Sequence, residues 1–224
     1  SIEDVNDELS KHTELTDKMS SKLGEVGGKV EDYGKKASVV SGGIVAIGTA
    51  SIAAFNEVDE GLDIIVKKTG ATGEAMDELE QSFKNVFGSI PTTADKAGIA
   101  IGKVNTKFGA TGETLEELSR LFIQFAEIND ADLNSSIDST SHLMQQWNLD
   151  ISQTPNLLGL ISSEAQRTGI ATNTLMASLE KNGSTFKELG LSIDQSIVLL
   201  ANFEMAGVDT GTALAALRKS ASAY

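Results

Sequence analysis

Apolar residues recur along this chain in three rhythms. Over residues 2–33 they alternate at intervals of three and four. One seam position reads Ile2, Leu9, Thr16, Leu23 and Val30, and the other Val5, His12, Met19, Val26 and Tyr33. That is a heptad register with Glu, Asp and Lys outside it, and it predicts a helical rod about 50 Å long at ~1.5 Å per residue. A stripe so narrow buries itself against other helices. The expectation is parallel self-association; the plainer reading is a helix folded back on its own domain. His12 reads as a polar register-setter rather than a metal ligand, because no second ligand lies at helical spacing. The seam mixes β-branched and unbranched residues and leaves the copy number open.

The second rhythm is the absence of one. Residues 37–56 carry no charge and are rich in Gly, Ala, Ser and Thr. The length approaches the ~20 residues that cross a bilayer. Gly43, Ala46, Gly48, Ala50 and Ala54 place small residues where helices can approach closely. Three readings compete: a tightly packed helix or hinge, a segment that enters a membrane under special conditions, and a constitutive anchor. The last is the weakest, since small residues gain little from insertion.

Past residue 56 the period becomes 3.6. Met76, Leu79, Phe83, Val86, Phe87 and Ile90 share one face; Ala97, Ile101, Val104 and Phe108 the next; Leu115, Leu118, Leu121, Phe122, Phe125 and Ile128 a broad third. Leu133, Ile137, Met144 and Trp147 follow, then Leu157, Leu158, Ile161 and Ala165 behind Pro155, a first-turn proline. Leu175, Leu179, Phe186 and Leu189 form another face, with Lys181-Asn182-Gly183-Ser184 as a polar break, and Ser192 with Gln195 makes a capping box ahead of Ile197 and Leu200. Between faces a glycine closes each helix and a hydroxyl residue opens the next: Gly70 with Thr72, Gly109 with Thr111, Gly169 with Thr172, Gly190 with Ser192, Gly207 with Thr210. The sequence Gly70-Ala71-Thr72-Gly73-Glu74 also recurs as Gly109-Ala110-Thr111-Gly112-Glu113, with Leu79 matching Leu118 and Phe83 matching Phe122. A helix pair stacked on its copy would produce this. The fold class is therefore all-α, with a coiled-coil segment at 1–36, the uncharged segment at 37–56 and a multi-helix domain at 57–224.

Composition narrows the chemistry. Lys plus Arg number 18 against 32 Asp plus Glu, a net charge of −14, with no basic cluster to neutralise phosphates. Direct nucleic-acid binding is not expected. Cysteine is absent, so disulfides and thiolate metal sites are excluded. Asp130-Ala131-Asp132-Leu133-Asn134 imitates a calcium loop, but Ser135 replaces its glycine and Ser141 its bidentate Glu, so it reads as an N-capped helix start. His142 has no nucleophile elbow beside it and reads as a helix-surface residue. No catalytic residue, cofactor site or metal set is assigned.

The order of several motifs resembles a known family. Phe55 through Gly70-Ala71-Thr72, the helix from Ile128 to Trp147, the stretch from Ala165 to Leu179, and above all Leu189-Gly190-Leu191-Ser192 leading to Ala206-Gly207-Val208-Asp209-Thr210-Gly211-Thr212-Ala213-Leu214 are similar to the conserved N-terminal region of phage tail tape measure proteins, in the phage-related minor tail protein family. The resemblance implies a non-enzymatic, mainly helical virion protein that occupies the tail tube, helps set tail length during assembly in the host cytoplasm, and is released as DNA is delivered. It implies tail tube and baseplate or hub proteins as partners, a homo-oligomer taken here as a trimer, and contact with the host membrane on ejection. Family members run to several hundred residues or more, so the measuring region itself is expected to lie outside this sequence. Two rivals remain: a membrane-active protein of the pore or toxin class inserting residues 37–56, and a bacterial coiled-coil adaptor with no viral role.

Overall fold

The computed structural model describes residues 52–221, and the side chains of 58–219. The described residues form nine α-helices and no strand. We number them α1 (Ile52–Thr69), α2 (Glu74–Phe87), α3 (Ala94–Phe108), α4 (Gly112–Ile128), α5 (Leu133–Trp147), α6 (Thr154–Thr168), α7 (Thr172–Glu188), α8 (Ile193–Met205) and α9 (Thr210–Ala221), with a 3₁₀ turn at Ile151–Gln153. Helix α1 begins inside the uncharged segment. Among the described residues, no helix is long and apolar enough to cross a membrane. The chain divides into two compact units between Asp138 and Ser139, inside α5.

The connectors explain why the helices stop where they do. After α1, α3 and α6 a glycine with φ near +70° turns the chain, its N–H donating four residues back: Gly70 to Val66 O (2.8 Å), Gly109 to Asn105 O (2.9 Å), Gly169 to Ala165 O (2.8 Å). After α4, α5, α7 and α8 the residue beyond the turn donates five residues back instead: Ala131 to Ala126 O, Leu149 to Met144 O, Leu191 to Phe186 O, Val208 to Phe203 O, all at 2.8–3.0 Å. This second bond closes a Schellman motif, whose pivot must sit in the left-handed region. Gly190 and Gly207 do so at no steric cost, and Asp130 (φ 48°) and Asn148 (φ 54°) fill the same place. Two residues after each pivot stands the side chain that caps the next helix: Asp132, Asp150, Ser192 and Asp209.

This corrects the expected hydroxyl rule. Of the five anticipated caps only Ser192 accepts a capping bond, from Gln195 N at 3.2 Å, with the return bond from its own N–H to Gln195 Oε1 at 2.9 Å. Thr111 holds the cap position without such a bond, Gly73 stands where Thr72 was expected, and Thr172 and Thr210 are already helical. Asp132, Asp150 and Asp209 cap with carboxylates, which accept from the same N–H groups and add charge at the positive end of the helix, and Thr93 caps α3 with its hydroxyl, accepting from Lys96 N at 3.3 Å. The calcium-like stretch behaves as expected: Asp132 Oδ1 accepts from Ser135 N and Oγ, each at 2.8 Å.

In the first unit each helix packs on its neighbour and on the next but one. Helix α3 lays a strip of small residues, Ala94, Gly98, Gly102 and Thr106, against α1 at Gly61, Ile65 and Lys68. The backbones touch: a methyl on Gly98 would fall 3.1 Å from the Gly61 Cα and closer still to its carbonyl oxygen. A methyl on Gly61 would lie 2.6 Å from the Phe83 ring and 2.9 Å from Ala94 O. Small residues at intervals of four permit this approach, as in tightly packed helix pairs generally. Helix α2 packs on α4, and the matched positions of the internal echo, thirty-nine residues apart, share their surroundings: Gly70 and Gly109 are both left-handed, and Leu79, Phe83, Leu118 and Phe122 are all buried. Polar clasps cross the layer: Asn85 Nδ2 donates to Glu116 Oε1 (2.7 Å), Arg120 Nε to Ser89 Oγ (2.8 Å), and Lys96 pairs with Glu127. Lys103 reaches Asn134 O (3.1 Å) and Asp138 on α5.

The second unit repeats the scheme. Helix α8 packs on α6 and α9 on α7. On these helices Leu157, Ile161, Ile197, Leu200 and Ala201 are buried. Arg167 donates to the buried Glu164 (3.0 and 2.5 Å) and to Asn202 Oδ1 (2.8 Å). Helix α5 meets α7 through Gln146, whose Nε2 donates to Glu180 O (3.5 Å) and whose carbonyl accepts from Lys187 (2.7 Å). The expected break at Lys181-Asn182-Gly183-Ser184 is absent: α7 runs through it, and Gly183 is buried because the Gln146 side chain occupies the space of a Cβ. The predicted faces are buried or half-buried with one exception. Ile128, assigned to the α4 face, is 65 % exposed, since it ends the helix beyond the last packed turn.

Candidate functional site

The sequence placed its site residues near the start of the chain. The seam (Ile2, Val5, Leu9, His12, Thr16, Met19, Leu23, Val26, Val30, Tyr33) and four of the small residues (Gly43, Ala46, Gly48, Ala50) lie outside the described residues, and Ala54 contributes only its helical backbone to α1. Among the described residues a small-residue crossing forms at Gly61, Gly98 and Gly102.

Within the second unit a cleft of about 370 Å³ opens between α7 and the α8–α9 connector. Ser178, Lys181 and Asn182 line one side, and Glu204 with residues 207–211 the other. The α8 Schellman turn sets the second wall: Gly207 pivots, Val208 N–H closes on Phe203 O, and Asp209 starts α9. Asp209 Oδ1 accepts from Thr212 Oγ1 (2.7 Å) and Thr212 N (2.8 Å). The hydroxyl, then the backbone N–H, and Lys181 across the cleft hold its carboxyl below the usual carboxylate range. Thr210 is buried and donates to Glu204 Oε1 at 3.4 Å. Two motifs noted separately in the sequence, Lys181-Asn182 and the stretch from Gly207 to Gly211, thus meet at one place.

The cleft is open and carries charges of both signs, from Lys181, Glu204 and Asp209. Among the described residues, no three His, Asp or Glu side chains gather to hold a metal ion. His142, on the exposed side of α5, stands 4.0 Å from Glu180. Apolar surface accompanies the cleft: Met205 is 57 % and Val208 44 % exposed. Sequence reasoning missed the cleft because no periodicity says which helix passes beside Met205 and Val208.

The description of one protein family, phage-related minor tail protein, matches residues 85–224, more than half of the chain. The match begins within α2 and takes in the cleft. A search of curated proteins and a search of solved structures each find no match.

Proposed function

This chain belongs to the phage-related minor tail protein family, and from that premise we propose that it serves as part of a tail tape measure. Membership carries a structural role in the tail, a place in the virion and neighbours among the other tail components. The finer reading is ours. The chain occupies the tail tube, helps set tail length during assembly and leaves as DNA is delivered. Copies associate through the seam at residues 2–33 as a homo-oligomer, taken as a trimer. Tube and hub proteins are the immediate partners, and residues 37–56 meet the host membrane on ejection.

The family match over a run of short, regularly connected helices is the observation that carries this reading. Helices convert residue number into length at a fixed rate, which is what a ruler needs. The surplus of 14 negative charges suits a chain that slides within a tube built for DNA.

The test is a length change. Removing residues 71–109 joins Gly70 to Ala110 and preserves the Gly-Ala-Thr-Gly connector. Tails assembled with this variant and measured by electron microscopy should be shorter. A continuous rod would lose roughly 60 Å, and a stacked hairpin about 10 Å, one interhelical spacing. Unchanged tails with this variant would place the measured length outside residues 71–109, and unchanged tails after helical turns are removed from the full-length gene refute the ruler role. Leakage of vesicles by the intact chain, without any effect on tails, would favour the membrane-active alternative.

A further inference from the structure

We infer that the described residues are one helix pair repeated about every thirty-nine residues, well past the two copies that share the Gly-Ala-Thr-Gly connector, and that a further copy can be added in phase without refolding its neighbours. The repeat holds whatever role the chain has in the tail.

Its first support is where the helices begin and turn. Helices α3, α5 and α7 start at Ala94, Leu133 and Thr172, each thirty-nine residues after the last, and α6 and α8 start at Thr154 and Ile193, the same interval apart. The left-handed pivots keep the same step. Gly70, Gly109 and Asn148 form one series and Asp130 with Gly169 another, while Gly190 falls three residues late and Gly207 one early. The late pivot has a local cause. Helix α7 is 17 residues long against 15 for α3 and α5. The three-residue 3₁₀ turn Ile151–Gln153 that precedes α6 has no counterpart before α8. The missing turn offsets the delay, and α8 starts in phase.

The second support is the core. Phe83, Phe122, Ile161 and Leu200 stand at the same step on α2, α4, α6 and α8, and all are fully buried. Ala97, Ser136, Leu175 and Leu214 do the same on α3, α5, α7 and α9, none more than 4 % exposed. Residue types change from copy to copy while burial stays, so a comparison of letters finds only the first two copies. Neighbours keep step as well. Within one unit α1 packs on α3 and α2 on α4; within the other α6 packs on α8 and α7 on α9. Helices of matched length would give a similar spacing by themselves. Matched length does not require the buried positions to recur at the same residue, nor the phase to return after α7. Recurrence of both is what a series of equivalent local interfaces produces.

The experiment inserts a second copy of residues 122–160 between Leu160 and Ile161 of the intact chain, so that Phe122 follows Leu160 where Ile161 stood. A control inserts residues 120–160 at the same point, two residues more, which turns everything beyond the junction by about 200°. Both are read by amide hydrogen exchange with mass spectrometry, in peptides from residues 122–128 and 154–160. The two copies yield identical peptides, so an unfolded copy shows as a fast half of each mass envelope. In phase, one slow envelope is expected, protected at least roughly 100-fold over the unfolded chain. In the control, half of each envelope should exchange within about threefold of the unfolded rate. An unprotected in-phase copy overturns the proposal. So does a control protected as well as the in-phase insertion, since matched helix length would then suffice without register.

Discussion

Replacing Gly98 by alanine sets two effects of opposite sign against each other. Alanine is the better helix former, and in an open helix interior the exchange stabilises by about 1 kcal/mol. At Gly98 the new methyl would land on the Gly61 backbone, 3.1 Å from its Cα and carbonyl carbon and nearer to its oxygen. Backbone atoms cannot rotate away as a side chain can. Relief requires α1 and α3 to part by about 1 Å, and a gap of that size forfeits a quarter to a half of each dispersion contact along the interface. Ile65, fully buried beside the crossing, loses packing with it. Overpacking of this kind costs about 1–3 kcal/mol, and the upper end applies because the obstacle is main chain. The net expectation is destabilisation by about 2 kcal/mol, a fall in Tm of about 4–8 °C for a chain of this size. Circular dichroism during thermal or urea unfolding measures it, and hydrogen exchange should place the loss in α1 and α3. Gly211→Ala is the control, since its methyl would meet only Asp209 Oδ1 at 3.5 Å, an ordinary contact, in the first turn of α9. It should leave stability equal or raised by up to about 1 kcal/mol. If Gly98→Ala is as stable as the parent, with α1 and α3 equally protected, the close-approach argument is wrong.

Acid should weaken the fold in a defined window. The carboxyls of Asp132 and Asp150 are lowered by bonds from the helix start, those of Asp132 chiefly from Ser135 N–H and those of Asp150 chiefly from the Ser152 hydroxyl; Asp209 is lowered likewise by Thr212. Asp138 is lowered by Lys103 and Lys107 against the desolvation that would raise it. A depressed carboxyl contributes stability that is whole above its unfolded value, near 3.9, and is lost as pH falls through the folded value. Desolvation pushes Asp194 the other way, so it gains as pH falls, one group against four. Urea midpoints should hold level from these groups between pH 5 and 7 and drop below about pH 4; a midpoint that rises on acidification to pH 3 contradicts this assignment. Arg167→Ala should cost about 2–3 kcal/mol in urea unfolding, because it strands the buried Glu164 while the guanidinium itself is 32 % exposed. The double variant Arg167→Ala with Glu164→Leu should recover part of that loss, and no recovery would show that the pair is not what holds α6. In the seam, Leu9→Glu with Leu23→Glu should convert an oligomer to monomer in sedimentation equilibrium; a strictly monomeric parent chain would refute self-association outright.

The helices were legible because each buries a face with the right period, and Phe83, Phe122 and Phe186, all fully buried, fall on predicted faces. The repeat was legible from Gly70-Ala71-Thr72-Gly73 and its copy. Four features were hidden, each for a physical reason. Asp130 and Asn148 do the work of glycine in the Schellman turns, so a search for glycine finds only half of these pivots. Asp150 and Asp209 cap helices from positions where a charge looks like mere solubility, and the hydroxyls two or three residues on are their donors rather than caps. The α1–α3 crossing was invisible because Gly98 and Gly102 carry no hydrophobicity to register on a periodic scale; what they contribute is the absence of a side chain. The cleft required knowing that α7 passes beside the α8–α9 connector, and no local pattern carries that.

Helices that rest on the next but one leave evolution little freedom in how this polypeptide grows. Dropping a single residue within α3 would rotate everything beyond it by about 100° and turn Gly98 and Gly102 away from α1. Duplicating a whole pair, connector to connector, disturbs no face at all. A lineage that lengthens through such a region advances in quanta, and any dimension it dictates to its surroundings inherits that step.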